Sequence, residues 1–307
     1  MLVKKNTFDK SQGGNDMKKK MLALLFGVMM SSVAITGCSK KKAEGFDSKK
    51  EITVVSREDG SGTRSAFIEL FGIEVKNDAG EKIDQTTQEA NITNSTSVMM
   101  TTVANDEYAI GYISLGSLND TVKALEIDGA KATQENVKTG SYRVARPFNI
   151  ATKDQLSDVA KDFIQYILST QGQAIVSENG YVSMDDSSDF VSNQATGKIV
   201  VAGSSSVSPL MEKLKEGYLK VVNNVEIEIQ TSDSTTGASA AAEGIADIGM
   251  CSRELKDSEI EKGLFETAIA MDGIAVIVNN NNPNQDMTTQ EIYDIYTGAS
   301  HTWDDLK

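Results

Sequence analysis

Two short stretches carry the residue types able to hold a small charged ligand: Arg57-Glu58-Asp59-Gly60-Ser61-Gly62-Thr63 and Gly203-Ser204-Ser205-Ser206-Val207-Ser208-Pro209. Glycine lets a ligand approach the backbone, hydroxyls donate hydrogen bonds, and the first turn of a following helix offers unbonded N–H groups with partial positive charge. Either stretch can therefore be an anion cradle. Each alone is also what an ordinary tight turn before a helix looks like, and the pair points to an anion more strongly than either member. Nucleotide versions of such a loop are absent, since neither G-x-x-x-x-G-K-[ST] nor G-x-G-x-x-G occurs. A serine hydrolase is excluded on similar grounds: there is no G-x-S-x-G, and the single histidine, His301, sits in a terminal Ser300-His301-Thr302-Trp303 turn. Two distant cysteines, Cys38 and Cys251, allow at most one disulfide and leave no material for a His-rich metal site. No catalysis, metal or cofactor is expected.

Both loops must be held by strand and helix. Ile52, Val54 and Val55 mark a strand over 51–56 ahead of the first loop, and Ala66, Phe67, Leu70 and Phe71 mark a helix behind it with one apolar side. The second loop repeats that order. A strand over 198–202 leads in, and Leu210, Leu214 and Tyr218 recur at helical spacing behind, with Ser208 suited to the N-cap and Pro209 to the first helical position. Each unit then runs through a Ser/Thr-rich stretch into a small-residue strand: Asn94-Ser95-Thr96-Ser97 before Ala109-Ile110-Gly111-Tyr112, and Ser232-Asp233-Ser234-Thr235-Thr236-Gly237 before Ala246-Asp247-Ile248-Gly249. Val159, Phe163, Ile164 and Ile167 mark a further helix. Strand, short loop and helix in repetition favour parallel α/β lobes, which bind ligands at the carboxyl ends of their strands, so the cleft between two lobes is the natural site.

The 307 residues, 39% hydrophobic and 24% charged, suffice for about two lobes with a buried core. A formal charge of −14 argues against nucleic-acid binding, which needs clustered Lys and Arg. Residues 1–37 read as an export signal: Lys18-Lys19-Lys20 precede an apolar run from Met21 to Ile35 that is short for a membrane span. Ile35-Thr36-Gly37-Cys38 closes it and resembles a bacterial lipobox, which implies cleavage before Cys38, diacylglycerol on its thiol and fatty acylation such as palmitate, with residues 38–50 as a polar tether. Gln12-Gly13-Gly14 can be encoded by a ribosome-binding sequence, which makes Met17 a candidate start beside Met1. Loss of residues 1–37 removes six lysines and two aspartates and leaves a net charge of −18.

Three stretches carry a family resemblance: Val54 through Phe67, Gly203 through Leu210, and Ala246-Asp247-Ile248-Gly249-Met250-Cys251-Ser252-Arg253. They resemble the substrate-binding lipoprotein of phosphate ABC transporters, over nearly all of residues 51–307. The resemblance implies an α/β fold of the type II periplasmic-binding-protein kind, two α/β lobes closing on inorganic phosphate, and delivery to a membrane permease and its ATPase. It also implies a ligand set of Arg57, Asp59, Ser61, Gly62 and Thr63 facing Ser205, Ser206, Ser234 and Ser252. Arg57 would supply bidentate positive charge, with hydroxyls and helix-terminal dipoles doing the rest. Asp59 beside the ligand would accept a proton that phosphate retains near neutrality and sulfate lacks, and so reject sulfate. Ser252 stands where many relatives carry an acid. Cys251 reads as a small buried residue.

The order of the halves departs from the family. There the Gly-Ser-Ser-Ser half leads; here it trails, so the chain reads as circularly permuted, with the polar stretch 185–197 joining the former termini. Permutation at exposed connections is physically tolerable, since domain termini often lie close together, and a fusion or truncation artefact of two genes is the other reading. On this basis one lobe comprises 51–148 plus 279–307 and the other 149–278, with crossings near Arg146-Pro147-Phe148 and Asn279 to Asn282. The expected function is binding of phosphate by an extracytoplasmic, lipid-anchored monomer on the bacterial cell membrane, feeding an ABC importer. The alternative is a paralogue that binds phosphate for sensing or interaction without docking to the permease.

Overall fold

The computed structural model describes residues 45–184 and 187–306. Expectations for the export signal, Cys38 and the start residue fall outside the described residues.

From the N-terminal end, β1 (Thr53–Arg57) runs into α1 (Gly62–Leu70), followed by the hairpin β2 (Glu74–Lys76) and β3 (Lys82–Asp84), then β4 (Asn91–Thr93), α2 (Thr96–Asn105) and β5 (Ala109–Ser114). Short pieces β6 (Lys123–Ala124), β7 (Glu126–Ile127) and α3 (Gln134–Lys138) lead to the long β8 (Ala145–Thr152). Helices α4 (Asp158–Leu168) and α5 (Thr170–Glu178) come next, then β9 (Gly197–Ser204), α6 (Ser208–Tyr218), β10 (Val225–Ser232), α7 (Ser234–Glu243) and β11 (Ile248–Cys251). The chain closes with α8 (Asp257–Ile260), the fourteen-residue β12 (Phe265–Val278), β13 (Asp286–Met287) and α9 (Thr289–Thr297).

The strands join in the order β10-β9-β11-β8-β12-β5-β1-β4, with β6 beside β12. At one end β1 pairs in parallel with β4 and β5, and at the other β9 pairs in parallel with β10 and β11. Between them β8 and β12 run antiparallel. The carboxyl ends of β1 and β9 carry the two glycine-serine loops, the placement expected for parallel α/β units.

Two main cores lie along this sheet. One gathers Val55, Phe67, Tyr112, Ile274 to Val278, Ile292, Ile295, Tyr296 and Trp303; the other gathers Phe148, Phe163, Val201, Leu210, Leu214, Tyr218 and Ile269. Strand β12 serves both, pairing with β8 up to Gly273 and with β5 from Ile274. The passage between cores therefore lies near Asp272-Gly273, ahead of the expected crossing at Asn279 to Asn282, because one continuous strand carries the chain from one core to the other. Arg146 and Asp272 face each other across β8 and β12 at this passage and form a buried ion pair, Nη2 to Oδ2 3.0 Å. Burial pushes the Asp272 carboxyl up to about 6 against the opposing pull of Arg146 and of the Ser114 hydroxyl.

Three local readings are corrected. Leu70 is 39% exposed, and Ile68 takes its place in the core under α1. Ser208 is the first residue of α6, not its cap: its hydroxyl donates to the Ser204 carbonyl at 3.1 Å, and Pro209 falls one position later. The expected tether through residue 50 ends earlier, because Phe46 packs on Tyr108 and Trp303 at 5.1 and 5.9 Å between ring centres. Apolar aromatic area is worth more buried than as part of a spacer.

Candidate functional site: a hydroxyl-lined cleft

The first loop is held from beneath. Tyr112 on β5 stacks on Phe67 of α1, ring centres 3.9 Å apart, and its hydroxyl accepts the Arg57 N–H at 3.2 Å and lies 2.9 Å from Ser56 Oγ. Burial raises that phenol to about 12, so it stays protonated. Ser61 caps α1, its hydroxyl accepting the Arg64 N–H at 3.3 Å, so the first turn of the helix starts at Gly62 and Thr63 with N–H groups that have no intrahelical partner. In the second loop Gly203 takes φ of +133°, and a β-carbon there would lie 2.5 Å from the Met250 carbonyl oxygen; glycine is needed on both counts.

These loops meet face to face. Arg57 Nη2 donates to Ser205 Oγ at 3.1 Å, and Thr63 Oγ1 lies 2.8 Å from Ser206 Oγ and 3.4 Å from Ser252 Oγ. Ser234 Oγ accepts the Ser252 N–H at 3.0 Å and lies 3.3 Å from its hydroxyl. All of these side chains are buried. Gly62 sits against the same group, since a β-carbon on it would fall 2.4 Å from Ser234 Oγ. Four helices, α1, α2, α6 and α7, begin at or beside this cluster, so their positive ends add to a field that favours an anion. Buried hydroxyls and N–H groups can surround a tetrahedral oxyanion while adding no charge to an acidic chain.

Of the expected residues, Arg57, Gly62, Thr63, Ser205, Ser206, Ser234 and Ser252 are thus brought together, Ser61 adjoins them as the cap of α1, and Asp59 is the exception. Asp59 points away: its side chain is 96% exposed and its carboxylate is bonded to Arg64, which also holds Asp84 at 2.8 Å. A carboxylate with an arginine partner at the surface has no reason to enter a cleft. The acid that faces the site's arginine is Glu58, which accepts from Arg57 Nε and Nη2 at 2.8 and 2.7 Å. Sequence reasoning missed it, and missed two further members. Thr96 at the start of α2 gives its N–H to Ser205 Oγ at 3.3 Å and has its hydroxyl 3.1 Å from Ser206 Oγ; Ser204 Oγ donates to Ser252 Oγ at 2.9 Å. The signal for Thr96 was present, because Asn94 to Ser97 parallels the stretch that contains Ser234.

Cys251 is buried beside the cluster, and burial lifts its thiol to about 12, which makes it an inert packing residue. Among the described residues no group of His, Cys, Asp and Glu could hold a metal ion, and no helix is long and apolar enough to cross a membrane. A groove of about 800 Å³ reaches the cluster along Thr96, Ser205 and Pro209, and one of about 990 Å³ lies along Arg64, Arg146 and Arg253.

Residues 33–171 and 191–307 match a family model described as a PBP superfamily domain. The phosphate-binding protein PstS 2 of Streptococcus agalactiae is 54% identical over 291 residues, covering 94% of this chain and 99% of that protein. PstS 2 of Streptococcus pneumoniae is 44% identical over 293 residues, covering 95% of this chain and all of the relative. The crystal structure of a phosphate-binding protein of a phosphate ABC transporter from Streptococcus pneumoniae superposes with a TM-score of 0.66 at 47% identity, covering 84% of this chain and 100% of that one.

Proposed function

The chain belongs to the PstS-like phosphate-binding proteins, and from that membership we propose that it binds inorganic phosphate in the hydroxyl-lined cleft and hands it to the permease and ATPase of an ABC importer. The observation that carries the reading is the buried ring of Arg57, Thr63, Ser205, Ser206, Ser234 and Ser252, drawn from both ends of the sheet. Ser61 and Gly62 complete the ligand set through the start of α1. The role is binding without catalysis. A sensing paralogue that does not dock to a permease has no observation in its favour. Calorimetric titration of the chain from Ser39 onward with phosphate, sulfate and molybdate tests the reading: saturable binding of phosphate is expected, and its absence overturns the proposal.

With Asp59 in solvent, the proton of a phosphate ligand falls to a hydroxyl oxygen of the ring. Asp59→Asn is therefore expected to keep the phosphate-to-sulfate affinity ratio within about threefold of the unmodified chain, since an exposed ion pair is worth little. A collapse of that ratio in the same titration would restore Asp59 as the discriminating group.

The anchor is proposed on the sequence: Cys38 carries the lipid, and the protein works as a monomer outside the cytoplasm. Cys38→Ala is expected to move the protein from the membrane fraction to the soluble one, because one covalent anchor is then gone. Detergent-requiring retention of that variant would contradict it. The permuted order is likewise proposed. In its support, the Streptococcus agalactiae relative aligns over 94% of this chain and 99% of its own length, whereas the match to PstS of Bacillus subtilis stops at 53% of this chain and 51% of that one, as expected when a collinear alignment meets halves in a different order.

A further inference from the structure

Outside the hydroxyl ring, the two ends of the sheet also touch where the loop after β1 meets the start of α7. The Gly60 carbonyl, on the loop after β1, accepts the backbone N–H of Thr235 at 3.2 Å and the Thr235 hydroxyl at 3.2 Å, both from the start of α7. The Asp233 carboxylate lies against the same glycine: a β-carbon on Gly60 would fall 2.3 Å from Oδ1 and 2.6 Å from Cγ. Asp233 cannot swing aside without cost, because it caps α7 by accepting from Thr236 N at 2.9 Å and from the Thr236 hydroxyl at 2.6 Å. Gly60 is absent from the residues with positive φ, so its own backbone would accept an alanine. The three atoms nearest to such a β-carbon all belong to Asp233, on the opposite side.

We propose that Gly60, Asp233 and Thr235 form a latch that sets how far the cleft closes, and that they act as positioning residues without contact to the bound anion. The inference rests on the phosphate-binding reading for its ligand but not for its geometry. A residue larger than glycine at 60 holds the Gly60 loop away from α7, and the hydroxyl ring is then never fully assembled. Because affinity falls with the fraction of molecules able to close, a site complete in every ligand residue would bind weakly.

The test is a set of four proteins: unmodified, Gly60→Ala, Asp233→Ala, and the double variant Gly60→Ala/Asp233→Ala. Each is titrated with inorganic phosphate, and its radius of gyration is measured by small-angle scattering with and without phosphate. Gly60→Ala is expected to weaken phosphate binding on the order of a hundredfold and to stay more expanded than the unmodified protein at saturating phosphate. The double variant should recover most of the affinity and the compact radius, because the clashing carboxylate is gone. Thermal unfolding without phosphate should differ little between Gly60→Ala and the unmodified protein. The latch is overturned if Gly60→Ala binds and compacts normally, if the double variant stays as weak as the single one, or if the Gly60→Ala midpoint falls far enough to make the defect one of folding. Failure of the unmodified protein to bind phosphate would count against the function, and the latch would then be decided by the radii alone.

Discussion

Deleting residues 279–307 is expected to abolish both cooperative unfolding and phosphate binding, although every proposed ligand residue remains. Ile292, Ile295 and Tyr296 of α9 are fully buried and Trp303 nearly so, all in the core that contains β1 and β5. Tyr296 packs edge-on against Phe67 at 4.7 Å between ring centres and donates its hydroxyl to the Val55 carbonyl at 3.1 Å, directly under the Arg57 loop. Each of these side chains stabilises the fold by about 1.5–3 kcal/mol, so their sum is of the order of the whole stability of a domain, about 5–15 kcal/mol. Calorimetric unfolding of the shortened chain checks this. A sharp transition with retained phosphate binding would mean that the two cores do not depend on this returning segment.

Arg57→Met is expected to weaken phosphate binding by about a thousandfold or more, the cost of losing a charge-assisted donor while an acid remains beside the ligand. Arg57 is 2% exposed, reaches Ser205 across the cleft, and holds Glu58 by two hydrogen bonds. Removing the guanidinium leaves the Glu58 carboxylate facing an anion with nothing between them. The double variant Arg57→Met/Glu58→Gln should therefore bind about tenfold more tightly than Arg57→Met, because it removes that repulsion without restoring the donor. Titration of both at one ionic strength decides it. If the second substitution changes nothing, Glu58 does not act on the ligand's field.

Much of this molecule can be read from neighbours in the chain, and the errors fall where neighbours are not enough. Leu210, Leu214 and Tyr218 share a helical face, and all three are buried. The second glycine-serine loop ends its strand at Gly203, whose φ of +133° few other residues adopt. Asp59 and Glu58 are adjacent acids of similar chemistry, and which one faces the arginine is decided by Arg64 and Asp84, twenty residues apart in the chain. Nothing local separates them. The crossing of β12 lies earlier than expected for a different reason: Gly273, at the change of partner, is a lone glycine inside a continuous strand, while the run Asn279-Asn280-Asn281-Asn282-Pro283 further on has the composition of a boundary.

The two segments that pass between the cores, β8 and β12, are hydrogen-bonded to each other through the passage and pinned there by the buried Arg146–Asp272 pair. A joint of this kind has no free pivot. It is a flexure: a twisted ribbon that can bend across its width but resists sliding along its length, since each residue of slip would break the ladder and unpair a buried charge. Movement at the passage is therefore expected to be bending rather than sliding, with the two faces of the cleft meeting in the same register each time. For a site built from many hydroxyls, each useful only within a few tenths of an ångström, that repeatability matters more than the strength of any one bond.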